Sequence, residues 1–160
     1  MTANVGTLYI DTVSTVGASV WRKATGTGNT GWVVTDGDTG WRSVTPASHA
    51  NMTDAIVHIR RTFQTVYVRF QFQAVNAALS LIDLFSLPSG FRALDSSTGF
   101  FAIATANGAT GRIRVNESSV YIPALSSTLR VAYAVIGQHA QVFSLPCTES
   151  WPTSLPGSAA

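Results

Sequence analysis

The chain has 160 residues, a formal net charge of +2 and a pI near 9.0, a length that suits one compact domain with a real core plus a short appendage. Hydrophobic residues make up 46% of it and charged residues 11%, less than half the roughly 25% usual in a soluble domain, so Thr, Ser, Asn, Gln and Gly keep the surface wet and faces buried against other subunits are favoured. The positive charge is arginine spread along the chain, with Lys23 the only lysine. That pattern lacks the basic stripe of a nucleic-acid interface, and Arg60, Arg61, Arg69, Arg112 and Arg114 read as solvated strand faces. Cys147 has no second cysteine to pair with and no cysteine cluster for a metal cage, so it reads as a buried small apolar residue. The opening MTANVGTLYIDT has neither the basic nor the apolar region of a secretory signal, and no apolar run is long enough to span a bilayer. A soluble protein made in the cytoplasm is expected, without membrane insertion.

From residue 5 to residue 44, short apolar runs (TLYID, ASVWRK and GWVVT) alternate with glycine-rich turns, which predicts a β-meander. Leu8, Ile10, Val20, Trp21 and Trp32 are many apolar residues for so short a piece, and about 40 residues rarely make a stable core alone. Either the meander packs on the domain that follows, or meanders from several chains pack around a symmetry axis. GTLYIDT from Gly6, VWRK from Val20 and GTGNTGW from Gly26 resemble the stems of fibre, tail and capsid-decoration proteins of tailed bacteriophages. The resemblance implies an intertwined stem in a homotrimer, with Leu8, Ile10, Val20, Trp21 and Trp32 as the interface. Sugar stacking is the alternative use of the two tryptophans.

The polar TPASHAN (residues 45–51) predicts a connector, which puts the stem at residues 1–45 and the head at residues 46–160. Strand signals then return with IVHIRRT and TVYVRFQFQA. In the second, Val66, Val68, Phe70 and Phe72 alternate with Tyr67, Arg69, Gln71 and Gln73, the signature of a strand with one buried face. With Phe63 and Gln64 between them, the two runs read either as a tight hairpin or as one bulged strand. AALSLIDLF is ambiguous. LPSGFR (residues 87–92) predicts a turn built on Pro88 and a positive-φ Gly90, and it resembles a recurrent element of the same phage family, with Ala93 where a proline usually follows. Beyond it GFFAIAT, a turn at Asn107 and Gly108, GRIRVN, SVYIP, TLRVAYAVI and HAQVFSL follow at the spacing of an antiparallel sandwich or jelly roll. The proline-bearing tail WPTSLPG resembles the ending of fibre head domains in phages of actinobacterial hosts.

Chemistry-bearing patterns are scarce. His49, His58 and His139 stand at no ligand spacing, and no nucleophile elbow, phosphate loop or dinucleotide fingerprint occurs. DGDTG, from Asp36 to Gly40, resembles the start of a calcium loop without its later acidic ligands and reads as a glycine turn. The strand pattern and the scarcity of catalytic motifs lead to the expectation of an all-β, non-enzymatic protein without cofactor or metal, and the resemblance implies a virion surface protein. Its partners would be its own copies in a homotrimer, phage capsid or tail proteins, and host surface glycan touched by the head. Because the chain begins almost directly with its stem, a capsid-mounted head fibre or decoration protein is favoured over a tail fibre. The alternatives are a purely capsid-stabilising decoration protein and a carbohydrate-binding module with Tyr121 or Trp151 as an exposed stacking platform.

Overall fold

The computed structural model describes residues 3–46, 48, 50, 52–75, 82–92, 100–104, 110–117, 127–134 and 137–160. Among them every named element is a strand and every strand pair is antiparallel. Strands β1 (Leu8–Ile10), β2 (Ala18–Lys23) and β3 (Trp32–Gly37) form a three-stranded meander, as the glycine punctuation predicts. Strands β4 (Arg42–Val44), β5 (Met52–Thr62) and β6 (Thr65–Ala74) join β11 (Gly137–Pro146) and β12 (Ser158–Ala159) in a five-stranded sheet of order β11-β6-β5-β4-β12. A four-stranded sheet holds β7 (Ile82–Ser86), β8 (Phe100–Ala104), β9 (Thr110–Glu117) and β10 (Ser127–Ala134) in the order β7-β10-β9-β8.

The core sits on one face of the five-stranded sheet. Period-2 alternation puts Val57 and Ile59 of β5, Val66, Val68, Phe70 and Phe72 of β6, and Phe143 and Leu145 of β11 on that face, and Phe85, Leu87 and Phe91 pack against them. Full burial of such side chains stabilises by about 1.5–3 kcal/mol each. Phe70 anchors the cluster, with its ring 5.9 Å from Phe72 and 6.1 Å from Phe143. The choice between hairpin and bulged strand resolves as a hairpin: Thr62 faces Thr65, and Phe63 turns the chain at φ 48°. Strand β5 starts earlier than the sequence suggests, because a register shift between Thr53 and Ile56, with Asp54 at φ 52°, hides the alternation of its first turn.

Strand β4 lies inside the span assigned to the stem, yet it pairs with β5 through Arg42↔Ile59, Ser43↔His58 and Val44↔Val57. The C-terminus covers its other edge: β12 pairs with it, Arg42 donates to the Pro156 and Gly157 carbonyls, and Gly157 takes φ 56° where a Cβ would lie 1.7 Å from the Ser43 carbonyl oxygen. Backbone pairing therefore places residues 42–44 with the larger sheet. The meander is tied to that sheet directly, through an Asp38↔Thr62 bridge and a forked Arg60–Asp38 ion pair.

That ion pair has a pH signature. The Arg60 guanidinium holds the Asp38 carboxyl below the usual carboxylate range. A depressed folded-state value means the pair stabilises fully above the unfolded carboxyl value, and that the stabilisation fades as pH falls through the folded one. Both side chains are more than a third exposed, so water and salt limit the effect to at most about 1 kcal/mol. Asp38→Asn should lower stability by at most about 1 kcal/mol at neutral pH, where the pair is fully formed, and converge on the wild type as pH falls below the ordinary carboxylate range, so that its acid limb is shallower. Superimposable acid limbs for the two proteins would show that the pair does not contribute.

Candidate functional site

The meander carries the most unusual surface of the described residues. In β1 and β2, Leu8 lies opposite Arg22, Tyr9 opposite Trp21 and Ile10 opposite Val20; in β2 and β3, Trp21 lies opposite Val34, Arg22 opposite Val33 and Lys23 opposite Trp32. Paired residues share a face and neighbours alternate. The five interface candidates therefore separate: Leu8, Ile10 and Val20 stand on one face with Val33 and the exposed Arg22 between Leu8 and Val33, while Trp21 and Trp32 stand on the other with Tyr9. The aliphatic face is open, with Leu8 62% and Ile10 67% exposed.

The aromatic face is built on Lys23, the only lysine of the chain and fully buried. Its ammonium donates to the Gly28 and Thr30 carbonyls and sits 5.5 Å from the Trp32 ring centre. The glycine-rich loop from β2 to β3 thus folds over a cation that also fixes one indole. Tyr9 meets Trp32 edge to face at 6.3 Å. These rings border a cleft of about 440 Å³ lined by Tyr9, Asp11, Trp21, Asn29 and Trp32. Trp21 and Trp32 also wall a second cleft of about 350 Å³, which runs toward Gln64, Thr148, Trp151 and Thr153.

Trp151 is not an exposed platform, which corrects the expectation from sequence. It is 8% exposed, its indole N–H donates to the Val16 carbonyl at 2.9 Å, and Gly37 gives it room, since a Cβ there would lie 2.9 Å from the ring. The Arg61 guanidinium lies 5.0 Å from the ring centre. Arg61, in turn, is 3% exposed rather than solvated, and it donates to the carbonyls of Phe63, Gly90, Glu149 and Ser150. Glu149 answers by accepting the Gly90 and Arg92 amides. Gly90 takes φ 81°, the positive value expected of the turn, and a Cβ there would meet Pro152 at 2.7 Å. Cys147 is fully buried against this junction, and burial pushes its thiol value up, away from reactive thiolate.

Of the remaining candidates, Tyr121 and His49 lie outside the described residues. His58 accepts from Arg69, whose guanidinium lies over Trp41 at 5.1 Å, and burial together with Arg69 lowers the imidazole value. With Arg60 held by Asp38 and Arg61 inside, the arginines of the hairpin do not form one basic patch. The Asp38 carboxylate of the DGDTG segment is engaged by Arg60 and the Gly40 amide, and Asp36 by the Ser19 hydroxyl. Among the described residues no group of acidic, histidine or cysteine side chains is arranged to hold a metal, and no helix is long and apolar enough to cross a membrane.

Reading from sequence missed Tyr9, Asp11 and Asn29 as cleft residues and Lys23 and Arg61 as anchors. Parity was the available signal: Tyr9 alternates with Leu8 and Ile10, and Arg61 continues the Val57, Ile59 series. No protein-family model, curated protein or solved structure matches this chain.

Proposed function

We propose that the chain is a non-enzymatic structural protein of a tailed-bacteriophage virion surface, a homotrimeric appendage mounted on capsid or tail. The meander serves as its trimerising stem, and the two larger sheets form a sandwich head presented to host surface polymers. The observation that carries this reading is the open face of the meander, where Leu8 and Ile10 stand exposed beside the half-buried Val20, and Val33 stands exposed across Arg22 from Leu8. An exposed apolar patch rimmed by a charged residue, as Leu8 and Ile10 are by Arg22, marks association. Three copies meeting on that face would bury it, and trivalence would raise avidity for weak, repetitive ligands without a tighter single site.

The test is solution mass by light scattering on the full chain beside the Leu8→Glu, Ile10→Glu double variant. The wild type is expected at three times the 16.9 kDa chain mass. The variant is expected as a folded monomer, because neither side chain contributes to the intrachain core. Removing residues 1–45 is a poorer test, since it also removes β4 and the seat of Trp151. A monomeric wild type overturns the proposal.

A further inference from the structure

We infer that the two clefts flanking Trp21 and Trp32 bind a neutral saccharide chain, so that host contact is made on the aromatic face of the meander as well as, or in place of, the head. This rests on the reading of the chain as a surface appendage and adds the site and ligand class. A pyranose ring has an apolar C–H face and a rim of hydroxyls that both donate and accept. Its complement is an aromatic wall edged by carboxylate, amide and hydroxyl groups. Trp21, Trp32 and Tyr9 supply the wall. Asp11 and Asn29 edge the first cleft, and Gln64, Thr148 and Thr153 edge the second. Asp11 spends one oxygen on the Val13 amide, and its carboxylate is the acceptor best suited to a pair of neighbouring hydroxyls. Both volumes fall in the roughly 300–1,000 Å³ range of small-ligand clefts, and their common tryptophan wall suits consecutive units of one chain.

Charge selects among saccharides. The two cations at these clefts are not available to an anion: Lys23 is spent on the Gly28 and Thr30 carbonyls, and Arg61 on four carbonyls. Glu149 is likewise spent, on the Gly90 and Arg92 amides and the Arg92 guanidinium, which leaves Asp11 as the charge that faces a ligand, and it would repel uronate, sialate or phosphate. The wall is also set in advance, because Lys23 beneath Trp32 fixes that ring before any ligand arrives, which lowers the ordering cost of binding.

The experiment is tryptophan fluorescence and calorimetric titration of the full chain with maltotetraose, cellotetraose, chitotetraose and galactotetraose, with tetragalacturonate and sialyllactose as acidic comparators. At least one neutral tetrasaccharide is expected to perturb the tryptophans with millimolar or tighter affinity, and the acids are expected to leave them unchanged. Asp11→Asn, which keeps the turn at Val13, and Trp32→Ala should each weaken binding by about tenfold or more, an amount typical of losing one well-placed polar or stacking contact. The Leu8→Glu, Ile10→Glu variant should bind each saccharide with unchanged affinity per chain. Binding by none of the neutral oligomers at millimolar concentration overturns the inference, as does undiminished binding by both cleft variants. So does a Trp32→Ala chain that falls to monomer while the Leu8→Glu, Ile10→Glu chain stays assembled, since the aromatic face would then be the subunit contact. A wild-type monomer that binds sugar would sink the trimeric appendage and leave this site standing; a trimer that binds none would do the reverse.

Discussion

Arg61→Ala is expected to destabilise the protein by about 3–5 kcal/mol, with a fall in the urea midpoint at nearly constant m-value. Arg61 accounts for four hydrogen bonds to carbonyls on three separate segments: the hairpin turn at Phe63, the turn at Gly90, and the tail at Glu149 and Ser150. Truncation leaves those acceptors at a site where the native side chain is only 3% exposed, and each buried acceptor left unmet costs about 1–3 kcal/mol. Water entering the vacated space recovers part of that sum, which keeps the expected total below a simple addition. Burial lowers the Arg61 value from its usual position, but a guanidinium has ample margin and stays charged. Arg61→Lys should rescue little, because one ammonium is a point donor and cannot reproduce a planar fork serving three segments. A loss under about 1 kcal/mol for Arg61→Ala would show that the junction is incidental to stability.

Local periodicity made the sheet elements legible. Strand β6 spans the residues its alternation predicts, with the four expected side chains buried, and β2 coincides with the ASVWRK run. What the sequence hid was of two kinds. The first turn of β5 departs from alternation because Asp54 takes a positive φ and the register slips there. The second kind is long-range: nothing local to Trp151 announces that its indole will meet Val16, or that Gly37 must lack a Cβ to admit it. Reading charge as solvation hides Arg61, which falls on the inward parity of its strand with Val57 and Ile59. For the meander, grouping residues by apolar character obscures what alternation separates, an open face with Leu8, Ile10 and Val33 around Arg22 and an aromatic face with polar rims. The stem-like segment near the start, the turn at residues 87–92 and the tail lie far apart along the chain. In space they meet, since Trp151 bonds the meander, Glu149 caps the turn and Arg61 bonds both turn and tail.

If that meeting point couples the meander to the larger sheets, Trp151→Ala should cost about 3–5 kcal/mol, in line with truncation of a buried tryptophan, and should do so unevenly. The indole supports the Val16 carbonyl, fills the space over Gly37 and covers the Arg61 guanidinium. Its loss removes the meander's best hydrophobic hold, while the core around Phe70 keeps its own contacts. Hydrogen exchange and limited proteolysis should therefore report early opening of residues 8–37, with β5 and β6 still protected. Trp151→Phe should retain most of the packing and lose the bond to Val16, for a cost of about 1–3 kcal/mol. Gly37→Ala should imitate the larger effect from the opposite side, by pushing the ring out of its seat. If both Trp151 variants protect residues 8–37 as well as the wild type does, the Asp38–Arg60 pair and the Asp38↔Thr62 bridge hold the meander by themselves. Uniform loss across all sheets would instead show that the meander and the larger sheets unfold as one cooperative unit.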